Sequence, residues 1–145
     1  MDASANVSTN LGNAGQPLQV TLGDKIITAK FIDQSVKSKI EQMLIKRAKD
    51  NLSKEKDSFT DEEFALAYGS ISDKIICGNY AFGGKVCQAF LTTLDGVAYL
   101  LHCVTGVSVE ECGKLIAEHA FEINILLKNV LDGSFPFLQK QTPPS

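Results

Sequence analysis

Two short signatures mark where helices must begin. Thr60-Asp61-Glu62-Glu63 and Ser108-Val109-Glu110-Glu111 each set a hydroxyl three residues before a carboxylate. In such a capping box the hydroxyl accepts from the fourth residue's amide and the carboxylate accepts from the first residue's amide. Apolar residues then recur three and four apart: Phe64, Ala67, Tyr68 and Ile71 after the first box, and Cys112, Leu115 and Ile116 after the second. Three further stripes share the period. Val36, Ile40, Met43, Leu44 and Ala48 follow Asp33 or Ser35 as a cap and end near Lys54. Leu94, Val97, Leu100, Leu101 and Val104 are opened by Thr92 or Thr93 and stop near Gly106. Phe121, Ile123, Leu126, Leu127 and Val130 lie in a helix from about Ala120 to Leu131, ended by Asp132-Gly133. A chain marked in this way is mainly helical.

One stretch has the other period. Leu18, Val20 and Leu22 alternate with Gln19 and Thr21, Gly23-Asp24 turns the chain, and Ile26 to Ile32 resumes β-prone character, which predicts a hairpin over about 18–32. A two-stranded ribbon alone is marginal in water, so it must lean on helices or on a partner, and its unpaired edge can accept a strand. Between residues 75 and 92, Gly78, Gly83 and Gly84 divide the apolar groups, and a loop followed by a short helix is expected. The expected fold is therefore mainly α with a small N-terminal β-hairpin (α+β), a compact bundle of about five or six helices. Residues 1–16 hold only Val7 and Leu11 as larger apolar groups and read as a flexible arm, 17–138 as one domain, and 139–145 as a flexible tail.

The net charge of −3 gives the chain no overall field toward nucleic acid or anionic lipid. Seven of the 14 basic residues fall between positions 37 and 56: Lys37, Lys39, Lys46, Arg47, Lys49, Lys54 and Lys56. Acidic residues interrupt them and no aromatic lies among them, so they read as a solvated helix face rather than a base-stacking platform. No basic run precedes an apolar core near Met1, and no segment approaches the ~20 apolar residues a membrane helix needs. A cytoplasmic protein without a membrane segment is expected.

The residues able to carry chemistry are scattered. Cys77, Cys87, Cys103 and Cys112 are separated by nine, 15 and eight residues, so no CxxC pair forms, and inert cysteines are expected with neither metal nor cofactor. Cys112 with His119 is the thiol–imidazole pair to test, although His119 reads more simply as a helix-boundary residue. The pairs Glu62-Glu63 and Glu110-Glu111 sit in first helical turns, where capping accounts for them. Tyr80-Ala81-Phe82-Gly83-Gly84-Lys85 lacks phosphate-loop spacing and reads as a packed aromatic turn. No catalytic residue is assigned, and an enzyme is not expected.

The order of the parts carries one resemblance. A hairpin with Val20-Thr21-Leu22-Gly23-Asp24-Lys25 leads into a charged helix, and later helices carry Thr93-Leu94-Asp95-Gly96-Val97-Ala98-Tyr99-Leu100-Leu101 and Ser108-Val109-Glu110-Glu111. Over about residues 18–133 this resembles the tail assembly chaperones of tailed bacteriophages. The resemblance implies a stoichiometric protein-binding factor, acting in the host cytoplasm, whose client is the tape-measure protein or another tail subunit such as the tail tube protein. A structural connector or tail-completion subunit, and a small regulatory nucleic-acid-associated protein, are the alternatives; a homo-oligomer stays open. The resemblance transfers no binding residue. From the chain itself, the apolar groups least accounted for by one core are Val20, Ile26 and Phe31 in the hairpin and Phe135, Phe137 and Leu138 near the end. The last three belong to a short apolar segment that either folds back or docks on a partner.

Overall fold

The computed structural model describes residues 18–135. The proposed arm, the tail, Phe137 and Leu138 lie outside them. In chain order the elements are β1 (Leu18–Leu22), β2 (Lys25–Ala29), α1 (Gln34–Lys54), a 3₁₀ turn (Lys56–Ser58), α2 (Asp61–Ile76), α3 (Lys85–Leu91), α4 (Leu94–Thr105), α5 (Val109–Glu118) and α6 (Ala120–Ser134). The expected architecture, mainly helical with an N-terminal antiparallel hairpin, is the one found. The described residues form two compact units: one is 18–34 together with 97–135, the other is Ser35–Gly96. The sequence, read as one domain over 17–138, carries no mark of this division.

In the first unit, the hairpin register pairs Leu18 with Ala29, Val20 with Ile27 and Leu22 with Lys25. The loop is Gly23-Asp24, with Gly23 at φ 64°. A glycine with positive φ leading a two-residue loop matches the twist of paired strands, as in type II′ turns. Side chains alternate across the ribbon, so Leu18, Val20, Leu22, Ile27 and Ala29 are all buried on one face. That face meets α6 through β1, and α6 also packs on α5. From α6 come Ile123, Leu126, Leu127 and Val130, from α5 Cys112 and Leu115, and from α4 Ala98, Leu100, Leu101, Cys103 and Val104. Among the described residues no polar or charged side chain is buried. The chain leaving the hairpin is tied down twice: the Lys30 amide donates to Val104 O at 2.9 Å, and the Ile32 amide to Ser134 Oγ at 2.7 Å.

The expected end of the last helix at Asp132-Gly133 is too early. α6 runs through Ser134 with Gly133 inside it. Glycine is required there for space rather than for chain reversal: a Cβ on Gly133 would come within 2.1 Å of the Phe31 ring. Phe31 thus lies across the bare backbone of α6.

In the second unit, α1 buries Val36, Ile40, Leu44 and Leu52, continuing the predicted stripe one turn past Ala48. The Thr60 box forms in full: Thr60 Oγ1 accepts from the Glu63 amide at 3.1 Å, and Glu63 Oε1 accepts from the Thr60 amide at 2.9 Å. The box opens α2, 16 residues of which none is buried. Residues 77–84 turn the chain, with Gly78 at φ 80° and Gly83 at φ 90°. Tyr80 is buried in this turn, and a Cβ on Gly84 would meet Gly78 O at 2.3 Å. The aromatic turn expected of residues 80–85 is therefore a packed one. Of the two threonines offered as the next cap, Thr93 is used, its Oγ1 accepting from the Gly96 amide at 3.0 Å. Among the described residues no single helix is long and apolar enough to cross a membrane.

Candidate functional site

The second unit contains an open groove of about 360 Å³, lined by Leu44, Arg47, Ala48 and Asn51 of α1, Tyr80 of the turn, Val86, Ala89 and Phe90 of α3, and Thr93. Each lining helix contributes for a local reason. On α1, positions 44, 47, 48 and 51 fall on one face because they are three and four apart. On α3, Val86, Ala89 and Phe90 do the same, and Cys87 turns inward to be fully buried. The result is a mostly apolar channel with three polar residues, Arg47, Asn51 and Thr93.

Arg47 sets the character of the rim. Its guanidinium carbon lies 5.1 Å from the Phe90 ring centroid, a cation–π placement that contributes about 0.5–1 kcal/mol at an exposed site. A guanidinium over a ring keeps N–H donors for a carboxylate. Lys49 and Lys56 also sit over rings, at 5.6 Å from Tyr68 and 5.5 Å from Phe64. The basic segment is thus more than the solvated face expected of it. Aromatics absent from that segment in sequence are brought to it from α2 and α3. Lys46 pairs with Asp50 at 2.6 Å, an i,i+4 surface pair.

The hairpin candidates separate. Val20, 4% exposed, faces inward and belongs to the core. Ile26, opposite Thr21, stands on the outer face at 66% exposure. Their one-residue difference in register decides this. Phe31 is half-buried against Gly133, and Phe135 is half-buried at the end of α6. The ribbon has two strands only, so each strand has an edge without a strand neighbour among the described residues. Phe121, 74% exposed, is a further apolar group of the first unit that the periodicity placed on the inner stripe.

The groups tested for chemistry have structural partners. Val107 O accepts from His102 Nδ1 at 2.6 Å and from the Cys112 thiol at 3.6 Å. A carbonyl only accepts, so His102 carries hydrogen on Nδ1. Burial pushes the Cys112 thiol up to about 11, so it stays protonated at neutral pH and is a poor nucleophile. His119 occupies the junction of α5 and α6. The second capping box is one-sided: Ser108 Oγ accepts from the Glu111 amide at 3.2 Å, but Glu111 Oε1 reaches Lys25 of the hairpin at 3.2 Å. Cys77 is exposed and Cys87, Cys103 and Cys112 are buried, all as free thiols. Among the described residues no three His, Cys, Asp or Glu side chains converge as a metal site.

Comparison with family models, with curated proteins and with solved structures finds no match to the chain.

Proposed function

We propose that this chain is a non-enzymatic, protein-binding assembly factor that holds an apolar helical client in the groove between α1 and α3. In this reading it works as the phage tail assembly chaperones it resembles, in the host cytoplasm, with the tape-measure or tail tube protein as client. The observation that supports it is the composition of the groove: Leu44, Val86, Ala89 and Phe90 offer apolar contact, while Arg47, Asn51 and Thr93 supply polar partners. A helix laid in such a groove buries its apolar stripe and satisfies its flanking polar groups at the rim. The same geometry makes the hold reversible. Apolar contact contributes about 25 cal/mol per Å² removed from water, and an open channel removes only one side of the client helix from water. A factor that must release its client suits that arrangement.

The test is co-expression of a candidate tape-measure protein with the wild-type chain or with Ala89→Lys. Ala89 is exposed on α3 and lines the groove, so the lysine places a charge in the channel without entering the core. The wild type keeps the client in the soluble fraction and the variant does not. Equal solubility with both proteins would remove the groove from the reading. A closed high-order ring formed without any client would favour a structural subunit instead.

A further inference from the structure

α2 carries an unusual outer stripe. Glu62, Leu66, Gly69, Asp73 and Ile76 follow one another at spacings of four, three, four and three, so they share one helical face. Leu66 is 76% exposed and Ile76 82% exposed, and a Cβ built on Gly69 would meet nothing within 4 Å. Leu66 and Ile76 thus present apolar surface to water on one face, with the half-buried, side-chain-free Gly69 between them. Phe64 and Tyr68, on the opposite side of α2, receive Lys56 and Lys49 of the same chain. The Glu62–Leu66 stripe therefore faces away from its own α1.

We propose that a second copy of this chain covers this stripe, with Leu66 of one copy entering the groove of the other and Glu62 pairing with Arg47 at its rim. Side chains four apart on a helix share one face, so Glu62 and Leu66 reach the same neighbour together. Arg47 stands over Phe90 beside Leu44, Val86 and Ala89, so a guanidinium and an apolar lining are likewise offered together. Among the described residues no carboxylate forms an ion pair with Arg47. The charges of the two partners also oppose. Residues 34–54 hold six basic and two acidic side chains, net +4, and residues 55–76 hold six acidic and two basic, net −4. Contact between the α2 stripe of one copy and the α1 rim of another brings opposite signs together, whereas α1 against α1 or α2 against α2 brings like signs together. The pairing requires only the chain itself and so does not depend on the client reading; where both hold, second copy and client use the same groove and exclude one another, so client binding dissociates the pair.

The experiment is sedimentation equilibrium of the full chain, without client, for wild type, Arg47→Glu, Glu62→Arg and an equimolar mixture of the two variants, with far-UV circular dichroism as the fold control. Wild type self-associates with concentration, and each single reversal weakens association tenfold or more, because an interfacial charge then faces its like. The mixture recovers association, since Glu62 meets Arg47 in one direction and Arg at position 62 meets Glu at position 47 in the other. Wild type that stays monomeric at about 100 μM, a concentration at which even weak specific pairs form, overturns the proposal. So does a mixture that associates no better than its components.

Discussion

Replacing Gly133 by alanine sets two opposed effects against each other. Within a helix alanine is favoured over glycine by up to about 1 kcal/mol, and Gly133 lies in the last turn of α6. The added methyl, however, would sit 2.1 Å from Phe31 Cε1 and 2.8 Å from Cζ, so the ring must move. Forcing a methyl into a packed site costs about 1–3 kcal/mol. The movement is not free, because the Ile32 amide is held by Ser134 Oγ at 2.7 Å directly beside the ring. The expected net change is a loss of about 1 kcal/mol, read as a lowered urea midpoint with unchanged slope. In a Phe31→Ala background the obstruction is gone and only the helix preference remains, so Gly133→Ala then stabilises by up to about 1 kcal/mol. The sign of one substitution inverts with the identity of residue 31. Urea unfolding of the four proteins in this cycle measures it, and the same sign in both backgrounds would refute the packing of Phe31 on α6.

Thr60→Ala removes the hydroxyl half of the cap on α2 and lowers stability by about 1 kcal/mol in urea unfolding. Glu63 is held below its ordinary carboxyl range, first by the Thr60 amide and then by its hydroxyl, so its stabilisation is present above pH about 4.5 and fades as pH falls below it; Glu63→Gln should show a flatter acid dependence, and identical acid profiles would contradict the bond. Because Cys112 is raised to about 11 from 9.0, its contribution is intact below pH 9 and lost between 9 and about 11, a slope that should disappear from the alkaline unfolding profile of Cys112→Ala. A thiol reagent at pH 8 should label Cys77 at once and the other three cysteines only on unfolding, as counted by intact mass; rapid labelling of more than one would contradict their burial. Leu126→Ala, at a position with no exposure, should cost about 2–5 kcal/mol in the same assay as Thr60→Ala.

Much of the fold follows from local rules, and the exceptions have physical causes. Thr60-Glu63 and the alternation of Leu18, Val20 and Leu22 involve neighbours along the chain, which is why they are legible. Val20 and Ile26, grouped as apolar hairpin residues, end on opposite faces because strand faces are fixed by register. A two-residue loop at Gly23-Asp24 sets Val20 against Ile27 and turns Ile26 outward. Gly133 looks like a stop because glycine often follows a helix; its role depends on Phe31, about a hundred residues earlier. Glu111 likewise has the right spacing for a box, yet its carboxylate goes to Lys25, a partner the local pattern does not contain. The groove was the least legible feature. Arg47, Tyr80 and Phe90 come from three elements, and no periodicity connects them. The exposed stripe on α2 was readable in principle: the repeat from Glu62 to Ile76 is in the sequence, but the inner stripe of Phe64, Tyr68 and Ile71 has the same period and a stronger aromatic content.

Hydrogen exchange of the chain with and without a bound tape-measure segment tests the groove assignment most directly. The account predicts slowed amide exchange in residues 44–51 of α1 and in α3, Lys85–Leu91, the two helices that line the groove. Protection confined to the hairpin strands Leu18–Leu22 and Lys25–Ala29, with those helices unchanged, would contradict it and move the client to the open edge of the ribbon.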